Sequence, residues 1–320
     1  MLKCRECGEF ESYDIVSHIE DHGSLGPKED RLVNYMKKYN VGEKDVVMKN
    51  PFVPKLNEHY VMPSFTKSFV KDIMENKNLL LTGPTGSGKT SLIMQIAART
   101  NQSVIRLNAN GQMTPSDLVG MFMVKGGETL WVDGALPKAM RDGDWLIIDE
   151  IDMCDPTNLA ILNAVTEING KLAIKEKGYE VVERHDRFRI FGTANSIGIM
   201  ESQRSLYQGT MAMNEAFLDR FRVYHVDYQE KNSELEILVN TTKIDRAVAE
   251  KMIQVANLVR EAHSREEVSA TFSLRKLIDW AELFKRESKE DAAKIAIFNK
   301  ISKENGTYIK GLLEAVGGLL

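Results

Sequence analysis

The sequence predicts an α/β core built on a mainly parallel sheet, followed by a smaller all-helical domain. Three observations predict this. Short apolar runs alternate with helical patterns from about residue 64 to 228, the signature of strand–helix units covering both faces of a sheet. Strand signals vanish from about residue 229. A glycine-rich turn separates the first apolar run from the first long helical pattern.

Composition bounds the answer. The 320 residues are 43% hydrophobic and 28% charged, a globular balance with length for more than one domain. With 42 basic against 46 acidic residues the net charge is −4, so no global positive field exists to hold nucleic acid. No apolar run approaches the roughly 20 residues that cross a bilayer. Met1-Leu2-Lys3-Cys4 opens no apolar signal segment. Only Cys4, Cys7 and Cys154 occur, which argues against a disulfide framework and for a reducing, cytoplasmic setting.

Residues 1–26 stand apart. Cys4-x-x-Cys7, a short spacer, then His18-x-x-x-His22 form a C2H2 ligand set for tetrahedral zinc, with Phe10 and Ile15 as candidates for a small core. So small a unit buries little surface, so zinc would supply its folding energy. From Glu9 to Asp21 the segment is acidic and holds no Lys or Arg, which favours protein docking over nucleic acid. Residues 27–63 read as a helix over 28–40 and a linker broken by Pro51, Pro54 and Pro63.

From 64 to 228 the strands expected are Asn78–Thr82, Ser103–Leu107, Trp145–Ile148 and Arg187–Thr193. Asp155 is a good N-cap and Pro156 suits the first position of a helix running to about Glu167. Met121–Val132 and Lys171–Glu183 read as hairpins turning at Gly126-Gly127 and near Gly178. In 229–320, helices are expected over Ser233–Asn240, Arg246–Ala262, Ser273–Lys285 and Glu290–Ile301, with a last one after Gly306.

Gly83-Pro84-Thr85-Gly86-Ser87-Gly88-Lys89-Thr90, followed by Ser91, satisfies the phosphate-loop pattern GxxxxGK[ST] between a strand and a helix. The glycines let backbone N–H groups wrap phosphates, and the helix N-terminus adds its positive end. Lys89 is placed to reach the β- and γ-phosphates of ATP, and the Thr90 hydroxyl to hold magnesium. Asp149-Glu150 follow an apolar strand, at the sheet edge where ligands bind. Asp149 suits the magnesium shell and Glu150 suits orienting and deprotonating a water. Asp152 reads as a capping or solvated carboxylate, and Cys154 as a packed residue at a helix start.

Gly192-Thr193-Ala194-Asn195 and Ala216-Phe217-Leu218-Asp219-Arg220-Phe221 resemble the AAA+ ATPases. The resemblance implies that Asn195 is the sensor 1 residue that positions the lytic water. It implies that Arg220 is the finger reaching a neighbouring subunit's γ-phosphate, and that Ser273-Leu274-Arg275 is the sensor 2 element, with Arg275 coupling the helical lid to nucleotide. Gly134-Ala135-Leu136 and the run Ala139–Asp152 look like the MoxR and dynein-related branch. Thr193–Gly198, Tyr207–Thr210, Asn214–Ala216 and Leu218–Phe221 are similar to the CobS-type motor subunits of aerobic cobaltochelatase.

That resemblance implies a P-loop NTPase core of AAA+ type with a helical lid, assembled as a homo-oligomeric ring, expected to be a hexamer. It implies hairpins that face the ring pore, and a protein partner with a von Willebrand A-type domain. Three functions stay open: a remodelling motor, a chelatase motor for metal insertion into a tetrapyrrole, and a nucleic-acid-associated ATPase recruited by its finger. A fourth, an inactive scaffold, is disfavoured by the presence of both carboxylates and both sensors.

Overall fold

The computed structural model describes residues 51–196, 211 and 213–320. The proposed zinc ligands Cys4, Cys7, His18 and His22, the helix over 28–40 and Tyr207–Thr210 lie outside the described residues.

Five strands form one sheet: β1 (Leu79–Thr82), β2 (Val104–Asn108), β5 (Trp145–Asp149), β8 (Arg189–Ala194) and β9 (Arg222–His225), in the order β2-β5-β8-β1-β9. Every pairing is parallel. Leu79, Leu80, Leu81, Leu146, Ile147 and Ile148 are essentially inaccessible, as befits strands covered on both faces. On one side pack α1 (Thr66–Met74) and α2 (Lys89–Arg99), through Phe69, Leu92 and Ile96. On the other lie α3 (Pro115–Val119), α4 (Ala135–Asp142), α5 (Pro156–Leu159), α6 (Ile161–Thr166) and α7 (Glu215–Leu218). β9 carries no apolar run and escaped the sequence reading; its pairing to β1 defines it as a strand.

The two hairpins are β3 (Gly120–Lys125) with β4 (Glu128–Asp133), and β6 (Lys171–Ile174) with β7 (Glu180–Glu183). Gly126 and Gly127 both have positive φ, 64° and 88°, as a two-residue hairpin turn matched to strand twist requires. The β3–β4 hairpin exposes Met121, Phe122, Met123, Val124, Leu130 and Val132. The β6–β7 hairpin instead buries Leu172, Ile174 and Val182 against the core.

Asp155 caps α5 by accepting from the Thr157 N–H at 2.8 Å, and Pro156 follows. The single helix expected to Glu167 is broken after Leu159 into α5 and α6. Cys154 is buried, as expected.

The C-terminal part is helical throughout its elements: α8 (Lys231–Thr242), α9 (Arg246–Ser264), α10 (Leu274–Phe284), α11 (Lys289–Ala296) and α12 (Lys303–Val316). They enclose a separate core around Trp280, Phe272, Ile253 and Leu313. α12 begins before Gly306 rather than after it, because the Ser302 side chain caps it by accepting from the Asn305 N–H.

Candidate functional site

The sheet order gathers the site. β1, β8 and β5 are adjacent, and Thr82 pairs with Ala194 as Ile148 pairs with Gly192. The phosphate loop, the Asp149-Glu150 pair and Asn195 therefore leave the same sheet edge side by side. Strand delivery, not loop flexibility, fixes their spacing.

The loop has the backbone that its glycines permit. Gly83, Gly86 and Gly88 hold φ of 144°, 77° and 100°. A Cβ on Gly83 would strike the Val226 carbonyl oxygen at 2.1 Å, and one on Gly86 would strike the Ser273 Cβ at 2.2 Å. Gly86 is thus where the helical lid touches the loop. The Tyr228 hydroxyl strengthens that contact, donating to the Thr85 carbonyl at 3.2 Å and meeting the Thr271 hydroxyl at 3.0 Å.

Lys89 opens α2 and is buried. Its ammonium donates to the Gly83 carbonyl at 2.8 Å, the Pro84 carbonyl at 3.0 Å and the Asn195 Oδ1 at 2.9 Å. Burial pushes the amine down to about 8, against the pull of Asp152, Asp149 and Glu150.

Asp149 is saturated. Its Oδ1 accepts from Thr90 Oγ1 at 2.7 Å and from the Thr193 hydroxyl, and its Oδ2 accepts from Arg106 Nε at 2.9 Å and from Arg106 Nη2. Burial works to raise this carboxyl, but the Thr193 and Thr90 hydrogen bonds and Arg106 outweigh it and hold it below the usual range. Arg106 was not singled out in the sequence. Its signal was a charge inside the apolar strand Ser103–Leu107, one strand over from the acidic pair.

Glu150 is exposed and sits in the left-handed region at φ 55°, ψ 44°. Its N–H donates to Thr193 Oγ1 at 3.1 Å. A non-glycine residue held there costs on the order of 1–2 kcal/mol, and such strain clusters at functional positions.

Asp152 departs from the capping or solvated carboxylate expected. It is fully buried, and its Oδ2 accepts the N–H groups of Asn195 at 2.9 Å and Ser196 at 3.1 Å. Burial raises its carboxyl despite those bonds and the nearby Lys89. Spacing showed a third carboxylate; only the fold shows what covers it.

Of the remaining predicted residues, Arg220 lies at the far end of β1 and Arg275 lies on the helical lid near the loop. Arg220 follows α7, and its carbonyl accepts from Asn78 Nδ2 at 2.9 Å. Asn78 precedes β1, whereas the phosphate loop follows it, so the strand's length of about 13 Å intervenes. The Arg220 guanidinium donates to Glu167 Oε1 at 2.8 Å. It borders a recess of about 480 Å³ that also receives Arg184 and Arg222. Arg275 is exposed in the first turn of α10, two residues past the Ser273 that abuts Gly86.

The loop suits a triphosphate: it has glycine-shaped backbone, a buried lysine, and a buried Ser87 Oγ that has no partner. Magnesium would be held by the Thr90 hydroxyl and Asp149, whose oxygens already converge. Among the described residues no cluster of three or more His, Cys, Asp or Glu of metal-binding form occurs. No helix among them is long and apolar enough to cross a membrane.

A five-stranded parallel sheet with a phosphate loop after its second-from-edge strand, an acidic pair two strands away and a helical lid defines a P-loop ATPase core of AAA+ type. Comparisons agree. Residues 78–221 match the AAA domain of the dynein-related subfamily, and 234–318 match the CbbQ/NirQ/NorQ C-terminal domain. The aerobic cobaltochelatase subunit CobS of Sinorhizobium sp is 31% identical over 242 residues, 72% of this chain and 72% of that protein. An uncharacterized protein of Staphylococcus haemolyticus is 33% identical over 236 residues, covering 72% of this chain and 86% of its own. One from Staphylococcus saprophyticus is 32% identical over the same shares. The chain belongs to the MoxR/CobS-type AAA+ ATPases of the dynein-related branch.

Proposed function

We propose that this chain hydrolyses ATP at the junctions between its own copies and uses the motion of its helical lid to remodel a protein partner. The observation that carries the reading is the placement of Arg220. Its backbone is tied to Asn78, at the opposite end of β1 from Lys89, which supports a role at a triphosphate held by another copy. In this reading Gly83–Ser91 cradle the phosphates, Lys89 neutralises their charge, and Thr90 and Asp149 hold magnesium. Glu150 takes the proton of the attacking water, Asn195 orients that water, and a neighbour's Arg220 balances charge on the phosphoryl oxygens. Arg275 and the Tyr228–Thr85 contact carry lid movement.

The ring is taken as a hexamer, with the exposed β3–β4 hairpin turned toward the remodelled protein and a partner of von Willebrand A type bringing that protein in. The setting is cytoplasmic. Zinc at Cys4, Cys7, His18 and His22 would fold a docking module, and zinc content of the purified protein tests it.

A second reading, a motor for metal insertion into a tetrapyrrole, is favoured by the identity to CobS. Stimulation of hydrolysis by a separate chelatase subunit would select it. Recruitment to nucleic acid rests on the finger alone and would show as DNA-stimulated, salt-sensitive hydrolysis.

Mixing variants tests the core of the proposal. Glu150→Gln and Arg220→Ala should each bind ATP yet turn over about 100-fold slower or worse. Mixed, they should regain part of the activity, because some junctions then hold an intact Glu150 opposite an intact Arg220. A mixture no faster than its parts would end the proposal.

A further inference from the structure

We propose that Asp152 is the positioning residue of the hydrolytic centre, holding Asn195 in place through the backbone rather than touching nucleotide. The inference rests on the role given to Asn195 above and names the group that enforces it.

The geometry is specific. Asn195 stands just past the end of β8, where the ladder to β1 has stopped at the Thr82–Ala194 pair. With no strand partner there, its N–H and that of Ser196 both turn onto one oxygen of Asp152, at 2.9 and 3.1 Å. Two adjacent N–H groups on one carboxylate oxygen fix the peptide plane between them, and hence the direction in which the Asn195 side chain leaves. That side chain meets Lys89 at 2.9 Å.

Asp152 is anchored from its own side as well. It lies in the one-turn helix Ile151–Met153 directly after Glu150, and its carbonyl accepts the Met211 N–H at 2.7 Å. Met211 lies four residues before α7, the element that precedes Arg220. A single buried residue thus links the turn that carries Glu150, the end of β8, and the chain leading to Arg220.

Burying a carboxylate without a cationic partner in direct contact is costly, and its second oxygen has no hydrogen-bond partner. An apolar residue would fill the space but leave both N–H groups without their acceptor. The group present is one that accepts two N–H bonds, which is what an end-of-strand sensor needs.

The test is a double-mutant cycle. Asp152→Ala should lower kcat about 10- to 100-fold, as a misplaced catalytic group does. Its Kd for ATP with magnesium, read by fluorescent-nucleotide titration, should stay within about 3-fold of wild type, a change under 0.7 kcal/mol. Asp152→Asn, whose amide oxygen accepts the same N–H groups, should recover most of the loss. In an Asn195→Ala background, Asp152→Ala should cost nothing more. In the nucleotide-free protein, Asp152→Ala should accelerate amide exchange in the peptide containing Asn195 and Ser196.

Multiplicative losses in the double variant, or unchanged exchange in that peptide, overturn the proposal. Wild-type turnover by Asn195→Ala would remove the role of Asn195 itself, and this proposal with it. Should Asp152→Ala fail to fold, Asp152→Asn decides: near-normal kcat and normal exchange support the proposal, and a loss as deep as that of Asn195→Ala with normal exchange overturns it.

Discussion

The Lys89 ammonium donates to the Asn195 carboxamide at 2.9 Å, joining the phosphate loop to the end of β8. With its other bonds going to the Gly83 and Pro84 carbonyls, Lys89 is satisfied by the protein alone. In the function proposed above, nucleotide would exchange those contacts for phosphate oxygens.

This sets a pH dependence. Burial lowers Lys89 to about 8 from 10.5, so between those values the unfolded chain binds more protons there than the folded one. The nucleotide-free protein therefore gains stability from this group as pH rises through that window. A triphosphate beside Lys89 favours its charged form, so ATP binding should take up a proton near pH 8.5 and weaken as pH climbs further. Titration calorimetry in buffers of different ionisation enthalpy reads that uptake directly, and Lys89→Met should abolish it.

Arg106 leads to a second expectation. Its guanidinium sits on Asp149 Oδ2, supplying positive charge at the carboxylate placed to hold the magnesium shell. Arg106→Gln removes both a competitor and a nearby cation. The magnesium concentration giving half-maximal nucleotide binding should fall several-fold, since about 1 kcal/mol is a factor of 5. A higher requirement would mean that Arg106 orients Asp149 rather than competing with the metal.

Much of this site was legible in the sequence because its motifs are local. Gly83–Thr90 and Asp149-Glu150 carry their chemistry in adjacent residues, and strand burial brings them together. Arg106, Asp152 and Tyr228 were not read as site residues, because each acts on a group distant in the chain: Asp149, Asn195 and Thr85 respectively. Periodicity reports which face of an element is buried, not what lies opposite. β9 is hidden for a related reason: Arg222 bonds the buried Asp72 of α1 and Tyr224 Oη donates to the same carboxylate at 2.6 Å, so no apolar alternation marks the strand.

Glu167 holds Arg220 at 2.8 Å in the isolated protomer, with the carboxylate largely exposed. Such a pair is worth no more than about 1 kcal/mol. Glu167→Gln should free the guanidinium for a neighbour and raise turnover about two- to five-fold at low protein concentration, with little change at saturation. A concentration series of ATPase rate checks this. An unchanged curve would show that Glu167 does not compete for Arg220.

The lid carries the final prediction. Arg260 is buried in α9, and its guanidinium bonds Glu234 at 2.7 and 2.8 Å and the Phe272 carbonyl at 2.6 Å. The same guanidinium lies 4.1 Å from the centre of the Tyr228 ring, whose hydroxyl reaches the phosphate loop. Glu234→Ala would leave that cation buried with only neutral partners, which costs about 3–5 kcal/mol when such a pair is broken. Because the lid has its own core around Trp280, the loss should appear as earlier urea unfolding of the helical part, read by tryptophan fluorescence. Glu234→Gln keeps the shape and one acceptor oxygen, so it should cost less. If both substitutions cost under about 1 kcal/mol, the pair is incidental to the stability of the lid.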